Sequence, residues 1–374
     1  MTNEQGEWFM ESVELFTGCG GLALGLSRAG FESQSMVEWN ADAVATILHN
    51  RARKVEHITD WPIKRQDVRE VDWKPYRGIA LVAGGPPCQP FSIGGKHRGN
   101  DDARDMWPQA IRTVRETRPD AFLFENVRGL LRPKFQPYLA GIVAGLSQPD
   151  KNLEYYTVVE RVNAADFGAA QKRHRVIFAG IRSDLGRKLP SLEPTHSRAR
   201  LLWDQWVTGD YWTEHALSRD LNDFLPTDSA EVRRLRKLTT APTEQRWVTV
   251  RDKLRGLGEP TGAGNHVQQA GAKVYKGHTG SPWDQPAKAL KAGDHGVPGG
   301  ENMLVRDDSS VRYFTIREAA RLQGLPDDYE FPRSWSESMR QLGNAVPAEL
   351  GQVAGEWIIG TLEPRTEKAL RVAA

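Results

Sequence analysis

Four short strand patterns in the first 130 residues each run into a cluster of glycine, proline or acid. Val13 to Thr17 stops at Gly18-Cys19-Gly20-Gly21, and Ser33 to Val37 stops at Glu38. Ile79 to Ala83 stops at Gly84-Gly85-Pro86-Pro87, and Ala121 to Phe124 at Glu125-Asn126. Between them, Leu22 to Ala29, Ala41 to Asn50 and Arg104 to Thr117 carry apolar residues at helical spacing. Tyr155 to Val162 and Arg175 to Ile181 are two further strand patterns. Such alternation predicts an α/β domain built on a mainly parallel sheet. Ligands of such sheets bind beyond the carboxyl ends of the strands, where every one of these clusters falls.

The alternation fades after about residue 185. Trp203, Trp206, Trp212, Trp247 and Trp283 are scattered among Pro, Gly and charge with little periodicity. The expected organisation is therefore a catalytic and cofactor-binding domain over residues 1–184, an irregular smaller domain over 185–311, and a segment over 312–374 that returns to the first domain. Arg317 to Gln323 and Ala348 to Ile359 are helical in pattern, and a loose tail is expected from Glu363. With 374 residues the chain is long enough for a core without staples, and its two cysteines exclude a disulfide framework or a Cys-based zinc site. No metal is expected. No apolar run approaches a membrane span, and MTNEQGEWFM lacks the regions of a signal peptide, so a cytoplasmic setting is expected. The net charge of +2 leaves any basic surface local.

Three clusters carry chemistry. The glycine turn after the first strand lets backbone approach a ligand, and Glu38 follows about 20 residues on, as a ribose-binding acid does. The glycine spacing departs from that of pyrophosphate-binding folds. It suits an adenosine ligand without phosphates, such as S-adenosylmethionine: Glu38 on the ribose hydroxyls, Trp39 stacked on adenine, Asp67 on the adenine amino group. A tight turn with surface acids fits these residues equally well. Cys88, in Gly84-Gly85-Pro86-Pro87-Cys88-Gln89-Pro90-Phe91-Ser92, is presented by prolines that restrict the loop, which points to a nucleophile rather than core packing. The stretch from Ile93 to Asp101, with Lys96, His97 and Arg98, reads as a lid. Glu125 is either a cap or, if it shares a pocket with Cys88, an acid whose pKa burial would raise. Arg173 and Arg175 point to one face of an extended segment, either as a solvated edge or as two guanidiniums aimed at phosphate or a base carbonyl.

Taken in order, ELFTGCGG, VEWN, GGPPCQPFS, ENV, QKRHR, RYFTIREAARLQGLPDDY and GNAVP resemble the motif set of the C5-cytosine-specific DNA methyltransferases of the bacterial modification type. The matches span about residues 13 to 347. One departure is Ala170, where the family has proline before Gln171. The resemblance implies a Rossmann-like S-adenosylmethionine-dependent methyltransferase sheet with a smaller irregular target-recognition domain. It implies cofactor contacts from Phe16, Gly18, Gly20, Gly21, Leu22, Glu38, Trp39, Asp67, Val68, Asn344 and Ala345. It assigns catalysis to Cys88, Glu125, Arg173 and Arg175, and DNA contacts to Gln89, Ser92 and Arg98. Cys19 is left as a small residue of the cofactor loop. The implied reaction methylates C5 of a flipped-out cytosine in a specific duplex DNA sequence, through a covalent bond from Cys88 to C6.

Specificity is expected in the irregular region. Arg233, Arg234, Arg236, Lys237, Arg246, Arg251, Lys253 and Arg255 stand there against Glu231, Glu244 and Asp252. Within a DNA-reading domain, Arg233, Arg234 and Arg236 are the expected phosphate contacts, although a solvated helical face reads the same way. Lys288 to Asn302 is a second candidate, with glycines that bring backbone close to a groove. The expected partners are double-stranded DNA and a cognate restriction or defence-system protein, and the expected state is a monomer. Three alternatives stay open: an RNA substrate for the same chemistry, a catalytically silent relative, and a nicotinamide-dependent oxidoreductase on a similar sheet.

Overall fold

The computed structural model describes residues 9–87, 105–274, 279–293 and 302–362. The first half alternates as β1 (Met10–Leu15), α1 (Gly21–Ala29), β2 (Phe31–Glu38), α2 (Ala41–Ala52), β3 (Ile63–Arg65), β4 (Leu81–Gly84), α3 (Trp107–Thr117), β5 (Ala121–Val127) and α4 (Gln136–Ser147). It closes with β6 (Tyr155–Asn163), β7 (Gln171–Lys172) and β8 (His174–Arg182). Seven of these strands form one sheet in the order β3-β2-β1-β4-β5-β8-β6. The first five in that order run parallel, and β8 is antiparallel to both of its neighbours. The α/β class expected from the sequence is the one observed.

Side-chain alternation along the central strands divides the core. Phe122, Phe124, Val176 and Phe178 face Trp107, Val114, Ile142 and Leu146 of α3 and α4. Ala121, Leu123, Ile177 and Ala179 face Leu22 and Leu26 of α1, together with Leu350 and Ile358 near the end of the chain. Both faces are covered, so the strands read as continuous apolar runs.

The second half opens with β9 (His196–Ser197), α5 (Arg198–Trp206), α6 (Asp210–Glu214), α7 (Ser229–Leu235), β10 (Gln245–Arg246) and α8 (Val250–Leu254). It continues through β11 (Ser281–Pro282), β12 (Ala287–Lys288), β13 (Met303–Val305) and β14 (Val311–Tyr313). The chain then returns through α9 (Ile316–Leu322), α10 (Trp335–Asn344) and α11 (Ala348–Leu362). Leu201, Leu202, Trp206, Tyr211, Trp212, Val232 and Trp247 pack into a small core of their own. Val250, Leu254, Ala287, Leu290 and Leu304 instead share a core with Ala23, Leu24 and Ile47 of the first half. β12 also pairs in parallel with β7. The Ala170 carbonyl accepts from Ala287 N at 2.8 Å, so the position where the family has proline is tied to the second half. The expected loose tail from Glu363 lies outside the described residues, within which no helix is long and apolar enough to cross a membrane.

α11 lies against α1, and the contact depends on bare backbone. A Cβ on Gly25 would meet Ala348 O at 2.4 Å and Gln352 N at 2.5 Å. These are backbone atoms of the opposing helix and cannot swing away. Gly25→Val should therefore lower unfolding free energy by about 1–3 kcal/mol in urea titration, as overpacking does. An unchanged midpoint would show that the two helices do not meet there.

Candidate active site

The parallel strands bring their carboxyl ends to one edge, and the polar clusters gather along it. β1 is followed by Phe16, which takes a positive φ of 58°. Gly18 and Gly20 follow, also at positive φ, and Gly20 caps α1. A Cβ on Gly20 would lie 2.4 Å from the Trp61 ring, so the turn admits no larger residue. Gly21 and Leu22 open the helix, and both are buried.

Glu38, at the end of β2, fixes this turn across the neighbouring strand. One of its oxygens accepts from Gly18 N at 2.8 Å and the other from Asn40 N at 2.7 Å. Each oxygen keeps a free lone-pair direction. Trp39 beside it is 66% exposed, unusual for a tryptophan and suited to stacking on a planar ligand. Asp67 follows β3 and caps the turn at Val68–Glu70. Its carboxylate accepts from Arg69 N at 2.9 Å and from the Arg69 guanidinium at 2.5–3.0 Å, and that guanidinium holds its carboxyl below the usual range. Asp67 is thus already engaged, and Val68 is buried. From the far end of the chain, Asn344 is exposed at the end of α10, and Ala345 caps that helix. These residues fit an adenosine-bearing ligand, with glycine turn, acid and aromatic face on adjoining strand ends.

The catalytic expectation rests on three places. Cys88, Gln89, Ser92 and Arg98 lie outside the described residues. The segment leading to Cys88 is nevertheless tied down: Asn126 Nδ2 donates to Pro86 O at 3.1 Å, in a buried contact. Glu125, beside Asn126, forms an ion pair with Arg175 Nε, and only 14% of each side chain is exposed. A Cβ on Gly85 would lie 3.5 Å from Glu125 Oε2, so the carboxylate faces the start of the Cys88 segment.

Arg173 differs from the expectation that both arginines are presented to a base or phosphate. It is 1% exposed, and its two terminal nitrogens donate to Leu290 O at 3.0 Å and Gly343 O at 2.7 Å. Burial, with the Arg175 charge close by, pushes its pKa well down. Arg173 braces the second half of the chain against the first, and only Arg175 reaches Glu125.

One residue of the ELFTGCGG string was not assigned from sequence as the structure places it. Glu14 is 1% exposed on β1, inside the ELFTGCGG string. Its Oε2 has no hydrogen-bond partner, and burial followed by the Glu38 charge raises its pKa well above the usual range. An acid within an apolar strand run was the available signal. Cys19 is buried, its Sγ lies 3.7 Å from Gln341 O, and burial pushes its thiol up to about 12. That thiol is inert at neutral pH. Gln323 was also missed as a site-forming residue. It is fully buried, and its amide meets Gln171 and the Leu342 carbonyl.

In the irregular region most of the basic charge is already engaged. Arg246 binds Asp252 and Glu214, Arg251 binds Asp284, Lys253 binds Glu349, and Arg255 meets Glu214. Arg236 donates to the carbonyls of Trp206 and Leu221 and lies over the Phe224 ring, so it differs from the expected free phosphate contact. Arg233, Arg234 and Lys237 are exposed on or just beyond α7. Glu214, His215 and Asp252 bring ligand atoms within 4.8 Å of one another, but Arg246 already pairs with both acids. A cavity of about 290 Å³ bounded by Arg77, Arg118 and Arg182 lies at the opposite edge of the sheet, away from all of these groups.

The model of the C-5 cytosine-specific DNA methylase family matches residues 10–360. The chain belongs to that family. The methylase is 32% identical to Type II methyltransferase M.NgoMIV of Neisseria gonorrhoeae, over 94% of this chain and 98% of that one. It is also 32% identical to M.PspPI of Psychrobacter, over 94% of this chain and 79% of the other. In fold it resembles the Schizosaccharomyces pombe Dnmt2 methyltransferase, with a TM-score of 0.59 and 17% identity over 94% of this chain and 98% of that one. It is therefore an enzyme of the methyltransferase class, with a mixed seven-stranded central sheet.

Glu14 gives the methylase a distinct pH response. A carboxyl whose folded pKa exceeds its unfolded value of about 4.3 binds its proton more tightly in the folded chain. Its contribution to stability is therefore present below that value and is lost as pH rises through the folded one. Glu14→Gln should remove this falling limb from a plot of urea stability against pH. Identical slopes in both proteins would mean that Glu14 ionises normally. Separately, iodoacetamide at pH 8 should leave Cys19 unmodified in the native methylase, read by peptide mass spectrometry. Native labelling at Cys19 would contradict its burial.

Proposed function

We propose that the methylase transfers a methyl group from S-adenosylmethionine to C5 of cytosine within a specific duplex DNA sequence, with Cys88 as nucleophile. The observation that carries this reading is the pair of contacts at the end of β5. Asn126 holds the Pro86 carbonyl two residues before Cys88, and Arg175 orients Glu125 toward the same segment. The segment that leads to Cys88 and the Glu125 carboxylate are thereby held together at the ends of two strands.

Each group has a task in the reaction. Cytosine C5 is a poor nucleophile until a group adds at C6. The Cys88 thiolate forms the S–C6 bond while Glu125 meets the N3 and amino edge of the base. In this reading Arg175, fixed to Glu125, contacts the base carbonyl, and Arg173 acts as the brace behind it. The C6 adduct gives C5 enamine character. S-adenosylmethionine, when bound against Glu38, Trp39 and the Gly18–Gly21 turn, supplies the methyl group as an electrophilic sulfonium. Loss of the C5 proton to a base then lets the S–C6 bond break, which returns the thiolate and leaves 5-methylcytosine. C6 is shielded in a duplex, so the base must leave the stack. The specific sequence is read by the irregular region, with Arg233 and Arg234 as phosphate contacts. The likeness to Type II methyltransferases supports a role as the modification partner of a restriction enzyme.

Duplex DNA carrying 5-fluorocytosine cannot lose a proton from C5, so the adduct should persist. With S-adenosylmethionine, the wild-type chain should give a denaturant-resistant protein–DNA band, and Cys88→Ala should give none. A band of equal intensity from Cys88→Ala would remove Cys88 from the mechanism. Bisulfite sequencing of plasmid from expressing cells supplies the target sequence for that duplex.

A further inference from the structure

β7 and β12 pair in parallel, and their register sets Lys172 beside Lys288. Neighbouring strands lie about 4.8 Å apart, and in-register side chains share a face. Both lysines are half-buried. Among the described residues Lys172 has no hydrogen-bond or ion-pair partner, and Lys288 Nζ donates only to the neutral Thr279 hydroxyl at 2.6 Å. Arg198 and Asp228 face Lys172 from the neighbouring helix and turn. That carboxylate is already bound by Arg198 at 2.6 Å, and Arg198 also pairs with Glu231. The acids nearby are therefore held by arginine, and the two ammonium groups confront each other.

Like charges side by side on paired strands destabilise a fold. Burial and the charges of Arg198 and Lys288 accordingly push the Lys172 pKa down. Two residues further, other cations act, with Asp166 opposing them. Burial, then Arg128 and Arg175, push the pKa of His174 down as well. This end of the sheet thus gathers several cations, with Asp228 and Asp166 as the facing acids. Lys172 belongs to the sheet half of the chain and Lys288 to the irregular half, so an anion between them would touch both.

We propose that Lys172 and Lys288 form a seat for one DNA backbone phosphate, which ties the catalytic half of the methylase to its recognition half when substrate is bound. The seat rests on the reading of duplex DNA as substrate. A seated phosphate relieves the lysine–lysine repulsion, so the seat costs stability in the free protein and recovers it in the complex.

The experiment measures duplex affinity against salt concentration for the wild-type chain, K172Q, K288Q and the double variant. Each lost phosphate contact lowers the slope of log affinity on log salt by about 0.9, which amounts to about 8-fold in affinity at 0.1 M salt relative to 1 M. The two lysines share one phosphate, so either single variant should show most of the loss and the double variant little more. K172R should keep the slope. K151Q, which removes one exposed charge beside Asp150, away from the strand carboxyl ends, should also keep it. Without DNA, K172Q and K288Q should melt no lower than wild type, which separates loss of a phosphate from loss of structure. Unchanged slopes in all three glutamine variants, with wild-type DNA binding intact, would overturn the seat alone. A wild-type chain with no salt-dependent duplex binding would overturn the substrate reading and the seat with it.

Discussion

A buried polar network around Gln171, Arg173 and Gln323 joins the two halves of the methylase beside the candidate site. Gln171 Nε2 donates to Leu322 O at 2.8 Å and to Gln323 Oε1 at 3.1 Å, and its Oε1 accepts from Leu290 N at 3.4 Å. Gln323 donates in turn to the Leu342 carbonyl, while Arg173 reaches Leu290 O and Gly343 O. Segments far apart in sequence are joined by side chains that are at most 1% exposed. Leaving one such buried group unpaired costs about 1–3 kcal/mol, and more where the group is charged. The network therefore accepts few alternative arrangements.

That rigidity sets the two halves of the site relative to each other. Gly343 and Leu342 lie just before Asn344 and Ala345, which the resemblance places at the cofactor. Arg173 lies two residues before Arg175, which holds Glu125. A displacement of Gly343 would be felt at Arg173, and from there along β8 at the carboxylate. The cofactor turn is fixed independently by Glu38, which spans Gly18 and Asn40. Both cofactor and base would thus meet backbone already in place, which lowers the entropy lost on binding.

The sequence revealed the sheet because its strands are apolar on both faces and end in glycine or acid. It revealed far less of the second half. α8 is five residues long and is held by a capping box between Thr249 and Asp252, too short for a helical period to show. α4 carries Gly141 and Gly145 in its interior, both poor helix formers, and was not anticipated. The two arginines of QKRHR make the same point at the level of single residues. Their spacing put both on one face, but Arg173 lies in the break between β7 and β8. Their different fates depend on Leu290 and Gly343 for one and Glu125 for the other, partners that no local pattern reveals. Glu14 was visible as an acid in an apolar strand, yet its raised pKa follows from burial beneath a turn and from Glu38 across the sheet.

The near-neutral net charge of +2 has a structural origin. Of the basic residues concentrated between Arg233 and Arg255, half are neutralised by acids of the same region or, for Lys253, by Glu349. Those cations hold the irregular region in shape, where long periodic helices are lacking. On the proposed reading, a duplex would be met by a small set of cations: Arg233, Arg234 and Lys237 on one element, Lys172 and Lys288 at the junction of the two halves. Non-specific affinity grows with each phosphate neutralised, whereas discrimination between sequences comes from base contacts. On the same reading, a chain that uses cations in its own ion pairs has fewer to offer to random DNA. Its residence at a site, on that reading, depends on contacts that only the correct sequence completes, and this suits the proposed covalent step, which begins with a base drawn out of the helix.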